Sequence, residues 1–139
     1  LDRLAAVKQG INIFILDACR NNPFSGAEIV GPDGRRLKFR GVAAPGLALV
    51  QAPLGSMVAF STAPGGVALD NPNERNSLYT KHLLAMMQTP GLPIELVFKQ
   101  VRLGVARETG RAQVPWESSS LTGDFCFKQG EQGACTAQR

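Results

Sequence analysis

The sequence predicts an α/β fold, with a mostly parallel sheet packed between helices, and three stretches carry that expectation. Ile11-Asn12-Ile13-Phe14-Ile15-Leu16 is a near-continuous apolar run of the kind found in strands covered on both faces. Ser56-Met57-Val58-Ala59-Phe60-Ser61 is a second such strand. Downstream, Leu78, Leu83, Leu84, Met86 and Met87 supply one apolar helix side, and Ile94, Val97, Phe98, Val101 and Val105 supply another. The order β, loop, β, α, α, β is that of half an α/β domain, so further strands are expected ahead of Leu1.

In chain order, Leu1, Leu4, Ala5 and Lys8 fall at helical spacing and Gly10 is a natural stop, which predicts a short opening helix. The strand after it ends at Asp17-Ala18-Cys19-Arg20 and breaks into Asn21-Asn22-Pro23. A residue before proline favours extended backbone, which makes the exit sharp. Working groups in open α/β sheets lie beyond the carboxyl ends of strands, where Cys19 falls. From Asn21 to Gly46 the chain is rich in Gly, Pro, Asn and charge, with a turn signal at Gly31-Pro32-Asp33-Gly34, and reads as a long loop. Leu47 to Ala52 reads as a short turn or strand. The second strand runs into Thr62-Ala63-Pro64-Gly65-Gly66, whose glycines allow another backbone to approach. Asn76 or Ser77 caps a helix running through Gln88. Pro93 opens the next helix, which closes at Gly110. Ser119 to Phe127 reads as the last strand, and residues 128–139 as a polar tail.

With 139 residues, 44% of them hydrophobic, the chain suits one domain with a real core. The net charge of +4 is concentrated in Arg35-Arg36-Leu37-Lys38-Phe39-Arg40. Only Phe39 is interleaved there and no recognition motif accompanies it, so the run reads as a solvated loop and nucleic acid is not an expected partner. No stretch of about 18 apolar residues exists to span a membrane, and no basic segment with an apolar core opens the chain. Three cysteines and one histidine give no zinc-site spacing. Cys126 and Cys135 either form a disulfide across a glycine-rich loop or, in a cytosolic protein, stay free.

Asp17-Ala18-Cys19-Arg20 at the end of an apolar strand resembles the nucleophile strand of caspase-like cysteine peptidases (clan CD, peptidase family C14), closest to bacterial metacaspase-type (orthocaspase) and paracaspase-like members. The downstream text agrees in order and spacing: Phe60-Ser61-Thr62-Ala63-Pro64-Gly65, Ala68-Leu69-Asp70 and Asn76-Ser77-Leu78-Tyr79-Thr80. It closes on Gln113-Val114-Pro115-Trp116-Glu117 and Ser119-Ser120-Leu121-Thr122-Gly123-Asp124-Phe125. The resemblance implies a caspase–hemoglobinase-like three-layer sandwich. Residues 1–127 would be its second half, from the nucleophile strand through the small-subunit equivalent. Family members pair the cysteine with a histidine in a His-Gly motif roughly 50 residues upstream. Only 18 residues precede Cys19 and none is histidine, so the expected partner is an N-terminal caspase-like segment carrying that histidine.

The resemblance makes Cys19 the nucleophile, a thiol that must be drawn from its ordinary pKa of about 8.5 toward thiolate by a base or cation. Without it, a buried cysteine at a strand end would be the plainer reading. Asp17, two residues earlier, shares a strand face with Cys19 if regular geometry persists. In metacaspase-type and paracaspase-like enzymes the acidic residue at this place lines the S1 pocket and selects Arg or Lys at P1, through charge-assisted bonds to the basic group. Asp70 is the candidate second S1 carboxylate, the alternative being an Asx-turn residue leading into Asn71-Pro72. Ser61 and Ala63 belong to the segment that would form the pocket wall. His82, the only histidine, lies inside a predicted helix and reads as a surface residue rather than a base. Trp116 reads as a packing anchor, and Glu117 and Asp124 are given no chemistry.

The leading expectation is therefore a cysteine endopeptidase that cleaves peptides and proteins after Arg or Lys. The rival is a non-catalytic caspase-like module that binds proteins. A nucleotide-binding domain is disfavoured because no glycine-rich phosphate fingerprint follows any strand. No cofactor is expected; the resemblance leaves calcium activation open, and no dedicated oxygen-ligand cluster for it is visible in the sequence. A periplasmic or secreted bacterial protein is the expected setting, ahead of a cytoplasmic one.

Overall fold

Five consecutive side chains, Ser56 to Phe60, are all buried, and the rest of the structure is arranged around them. The computed structural model describes residues 10–18, 28–30, 34, 36–39, 52–133 and 135. The predicted helix over Leu1 to Gln9, the segment Leu47 to Gln51 and Cys19 lie outside the described residues. The strands are β1 (Asn12–Leu16), β2 (Glu28–Val30), β3 (Arg36–Phe39), β4 (Ser56–Phe60), β5 (Leu69–Asp70) and β6 (Trp116–Ser119). The helices are α1 (Leu78–Met87) and α2 (Ile94–Glu108), and a 3-10 turn covers Glu131–Gly133.

The main sheet has the order β1-β4-β6. β1 runs parallel to β4 from Asn12↔Ser56 to Leu16↔Phe60, and β6 runs antiparallel to β4 from Met57↔Ser119 to Phe60↔Trp116. Because side chains alternate along β4, Met57 and Ala59 face the helices, packing with Tyr79 and Leu83 of α1 and with Ile94, Val97, Phe98, Val101 and Val105 of α2. Val58 and Phe60 point the other way and are also buried, so β4 is covered on both faces, as its unbroken apolar run predicts. Burying each such side chain contributes about 1.5–3 kcal/mol.

Both helices start and stop as their sequences predict. Ser77 is the N-cap of α1, its hydroxyl accepting from the Thr80 N–H at 3.0 Å, and Gln88 closes the helix. Pro93 precedes α2 as its N-cap, and Gly110 follows its end with φ of 59°.

Three expectations are corrected. The stretch Asn21 to Gly46 is not a plain loop: β2 and β3 pair antiparallel within it, and β5 adds to β3, making a second sheet of order β2-β3-β5. The basic run is thus largely the central strand of that sheet, placed there by backbone pairing that composition does not reveal. The last strand is Trp116–Ser119 rather than Ser119 to Phe127. Beyond it, Phe125 and Phe127 meet edge-on at 5.2 Å and Phe127 meets Phe98 at 6.5 Å, so the aromatic spacing serves helix contacts rather than a ladder. Trp116 is 47% exposed on β6 and does not anchor the core.

Candidate active site

β1 and β4 end side by side, and the backbone after each is tied to the other. The Ser61 N–H donates to the Leu16 carbonyl at 3.0 Å, extending the parallel ladder by one bond, and the Ser61 hydroxyl donates to the Ala18 carbonyl at 3.2 Å. Ser61 is wholly buried. It therefore fixes the turn immediately ahead of Cys19, a positioning contact that its expected role in a pocket wall did not include.

Asp17 leaves β1 toward the head of α1. Its Oδ2 accepts from the Thr80 hydroxyl at 2.8 Å and, more closely, from the Ser77 hydroxyl. The first turn of α1 has no acidic residue of its own, so Asp17 supplies from another strand the negative charge that a helix N-terminus favours. Beneath this contact lies Tyr79, fully buried, whose hydroxyl has no hydrogen-bond partner among the described residues. Burial, and then the charges of Asp17 and Glu117, hold that hydroxyl protonated, well above the ordinary tyrosine value.

After Ser61 the chain turns at Ala63 to Gly66, the Gly66 N–H donating to the Ala63 carbonyl at 2.9 Å. Gly65 takes a φ of 75°, and a Cβ on Gly66 would overlap the Thr62 hydroxyl, so both glycines are required by this turn. Ala63 is half-buried within it. The strand β5 then delivers Asp70 to the rim of a cavity of about 310 Å³, lined also by Asn71, Glu74, Arg75, Asn76 and Ser77. The Asx turn in this loop belongs to Asn71, whose side-chain oxygen accepts from the Asn73 N–H at 3.0 Å. Ser77 is common to both features, since it lines the cavity and donates to Asp17. The structure thus brings Asp17, Ser61 and Asp70 to one end of the sheets, with Ala63 in the intervening turn.

One further residue joins these parts. Gln113 is 1% exposed, its Nε2 donating to the Ser61 carbonyl at 2.7 Å and its Oε1 accepting from the Leu69 N–H at 2.8 Å. In sequence it was visible only as part of a Gln-Val-Pro-Trp motif.

His82 is engaged elsewhere. Its Nε2 lies 2.7 Å from Glu108, which also takes Lys81 Nζ at 2.6 Å. Burial alone would raise the Glu108 carboxyl, but the hydrogen bonds and charges of Lys81 and His82 outweigh it and hold it below the usual range. Glu117 pairs with Arg102. No group of side chains suited to a metal ion occurs among the described residues, and no described helix is long and apolar enough to cross a membrane.

The caspase domain model matches residues 1–126 of the chain. Among solved structures, the chain is similar to caspase-1 from Spodoptera frugiperda, with a TM-score of 0.52 and 21% identity. That similarity covers 86% of this chain but 46% of the insect protein, so the chain spans about half of its length. No curated protein matches. A strand-end Asp-Ala-Cys, a helix pair stacked on the sheet behind it and a family match over nearly the whole length converge on one conclusion: the chain belongs to the caspase domain family of cysteine peptidases.

Proposed function

We propose that residues 1–127 form the nucleophile-bearing half of a caspase-like cysteine endopeptidase of metacaspase or paracaspase type, cleaving after Arg or Lys, with residues 128–139 as its tail. The observation that carries this reading is the placing of Asp17, two residues before Cys19, against the head of α1 beside the cavity that Asp70 lines. In the proposed reaction the Cys19 thiolate attacks the scissile carbonyl, forming a C–S bond while the C–N bond breaks. The amine leaves with a proton from the histidine, and water then releases the acid and regenerates the thiol. The backbone N–H of Cys19 is proposed as one oxyanion donor. Asp17 and Asp70 are proposed to hold the basic P1 side chain, with Ser61 and Ala63 as pocket wall. The chemistry calls for no cofactor, and the macromolecular substrates are peptides and proteins.

The histidine is proposed to come from an N-terminal caspase-like segment outside this chain. Two observations support that. The only histidine is held by Glu108 at the α1–α2 contact. Ile11 and Ile15, on the side of β1 where Ile13 meets the core, remain 38% and 36% exposed, and β1 is an edge of the described sheet. The Cys126–Cys135 disulfide supports a periplasmic or secreted setting over a cytoplasmic one.

The test is labelling of the protein, together with its upstream segment, by a peptide warhead bearing Arg at P1. Adduct on Cys19 that disappears in Cys19→Ala and is competed by Arg peptides is the expected result. A folded protein that takes no label but still binds peptide would overturn the peptidase reading in favour of a non-catalytic binding module.

A further inference from the structure

We infer that Gln113 is a positioning residue for the substrate pocket, a buried brace that sets the distance between its two walls. The inference rests on the reading of Asp17 and Asp70 as the carboxylates that grip the P1 side chain. One wall begins at Ser61, which is bonded to Leu16 and Ala18 at the exit of the nucleophile strand. The other is β5, where Asp70 follows Leu69. The Gln113 side chain joins the two walls, since its amide donates to the Ser61 carbonyl at 2.7 Å and accepts from the Leu69 N–H at 2.8 Å.

The chemistry of the contact explains the residue type. Both partners are backbone groups, one needing a donor and the other an acceptor, in a site closed to water. A primary amide presents both from one planar fork at every pH, whereas a carboxyl group does so only while protonated. A carboxylate lacks the donor, and a thioether of similar shape lacks effective forms of both. The brace is itself anchored. The Gln113 N–H donates to the Thr109 hydroxyl at 3.1 Å, and that hydroxyl donates to the Val105 carbonyl at 2.9 Å in the last turn of α2. Gly110 and Arg111, at φ of 59° and 70°, turn the chain sharply so that Gln113 returns beneath the pocket. Helix α2, the nucleophile-strand exit and the Asp70 wall are therefore linked through one amide.

The brace touches neither substrate nor reacting atoms, so its loss is expected in binding and selectivity rather than in the reactivity of Cys19. The experiment compares Gln113→Met and Gln113→Glu with wild type in the active protein carrying its upstream segment, using Arg- and Lys-P1 peptides across pH 5.5 to 8.5. Gln113→Met removes both side-chain bonds, and the loosened walls are expected to raise KM for Arg peptides about tenfold at every pH. Gln113→Glu is expected to match wild type while its carboxyl keeps a proton to donate to Ser61, and to worsen as pH rises. Alkylation of Cys19 by iodoacetamide, which has no P1 group, is expected to stay within about twofold of wild type in both variants, as for an intact nucleophile. Wild-type KM and Arg preference in a folded Gln113→Met or in Gln113→Glu at high pH overturn the inference alone. Undiminished Arg cleavage in both Asp17→Asn and Asp70→Asn overturns the pocket reading, and the inference with it.

Discussion

Asp17 has two tasks that a single substitution separates. As the anion at the head of α1 it stabilises a helix, and as a proposed S1 carboxylate it binds substrate. Asp17→Asn keeps the size and an acceptor for Ser77 and Thr80 while removing the charge. Losing one partner of a buried charge pair costs about 2–5 kcal/mol, so kcat/KM for Arg peptides is expected to fall roughly 30-fold to several thousandfold. Thr80→Val removes one orienting bond and leaves the charge, so its expected loss is smaller, about fivefold to tenfold. Equal melting-point losses in the two variants with cleavage untouched would leave Asp17 a helix complement only. The candidates that carry charge or a thiol, Asp17, Cys19 and Asp70, were visible in the sequence because residue type and order carry the family resemblance. Their supports were not. Ser77 and Thr80 lie 60 and 63 residues from Asp17 along the chain, and Gln113 lies 52 from Ser61. A neutral hydroxyl or amide has no local pattern that announces so distant a partner.

At the scale of elements, the two helices are held by a crossing that admits no extra atom. A Cβ on Gly104 of α2 would stand 2.5 Å from His82 Nδ1, and the far side of that ring is fixed by Glu108. Gly104→Ala gains about 1 kcal/mol of helix propensity but forces the ring from its place at a typical cost of 1–3 kcal/mol. A net loss of stability is expected, and a raised melting temperature would refute the crossing as described. Glu108 adds a dependence on pH. Its folded carboxyl lies below its ordinary value of 4.5, so its stabilisation is present above that value and is lost as pH falls through the folded one. Wild type should therefore melt above Glu108→Gln at pH 7, with the gap closing below pH 4.5; a gap unchanged at pH 3 would contradict this. The apolar periodicity made α1, α2, β1 and β4 readable. The short strands β2 and β5, of three and two residues, carry no periodicity long enough to read, and exist through pairing with β3.

For the whole molecule, the chain after β6 closes the structure as a hook. The Gly91 N–H donates to the Lys128 carbonyl at 2.8 Å and the Ile94 N–H to the Phe125 carbonyl at 2.9 Å, which satisfies a donor at the start of α2. Phe125 and Phe127 lean on the helix core, and the Cys126–Cys135 disulfide, nine residues apart in sequence, closes the loop beyond them. The sequence left this pairing open because two cysteines at that spacing suit either redox state; the fold brings their Cα atoms to 5.3 Å. Closing a loop of this size restricts the unfolded chain by about 2–3 kcal/mol. A Cys126→Ala, Cys135→Ala pair is then expected to melt roughly 5–10 °C lower, and wild type treated with a strong thiol reductant should fall to the same point. Cys19, the proposed nucleophile, provides the internal control. Cys19 should be the one thiol alkylated in the native oxidised protein, and reduction should expose two more, counted by intact mass. Three alkylated cysteines in protein drawn from its native compartment without reductant would mean that the hook is open there. The oxidising setting proposed for the protein would then fall, while the reading of the strand that ends at Asp17-Ala18-Cys19 would stand untouched.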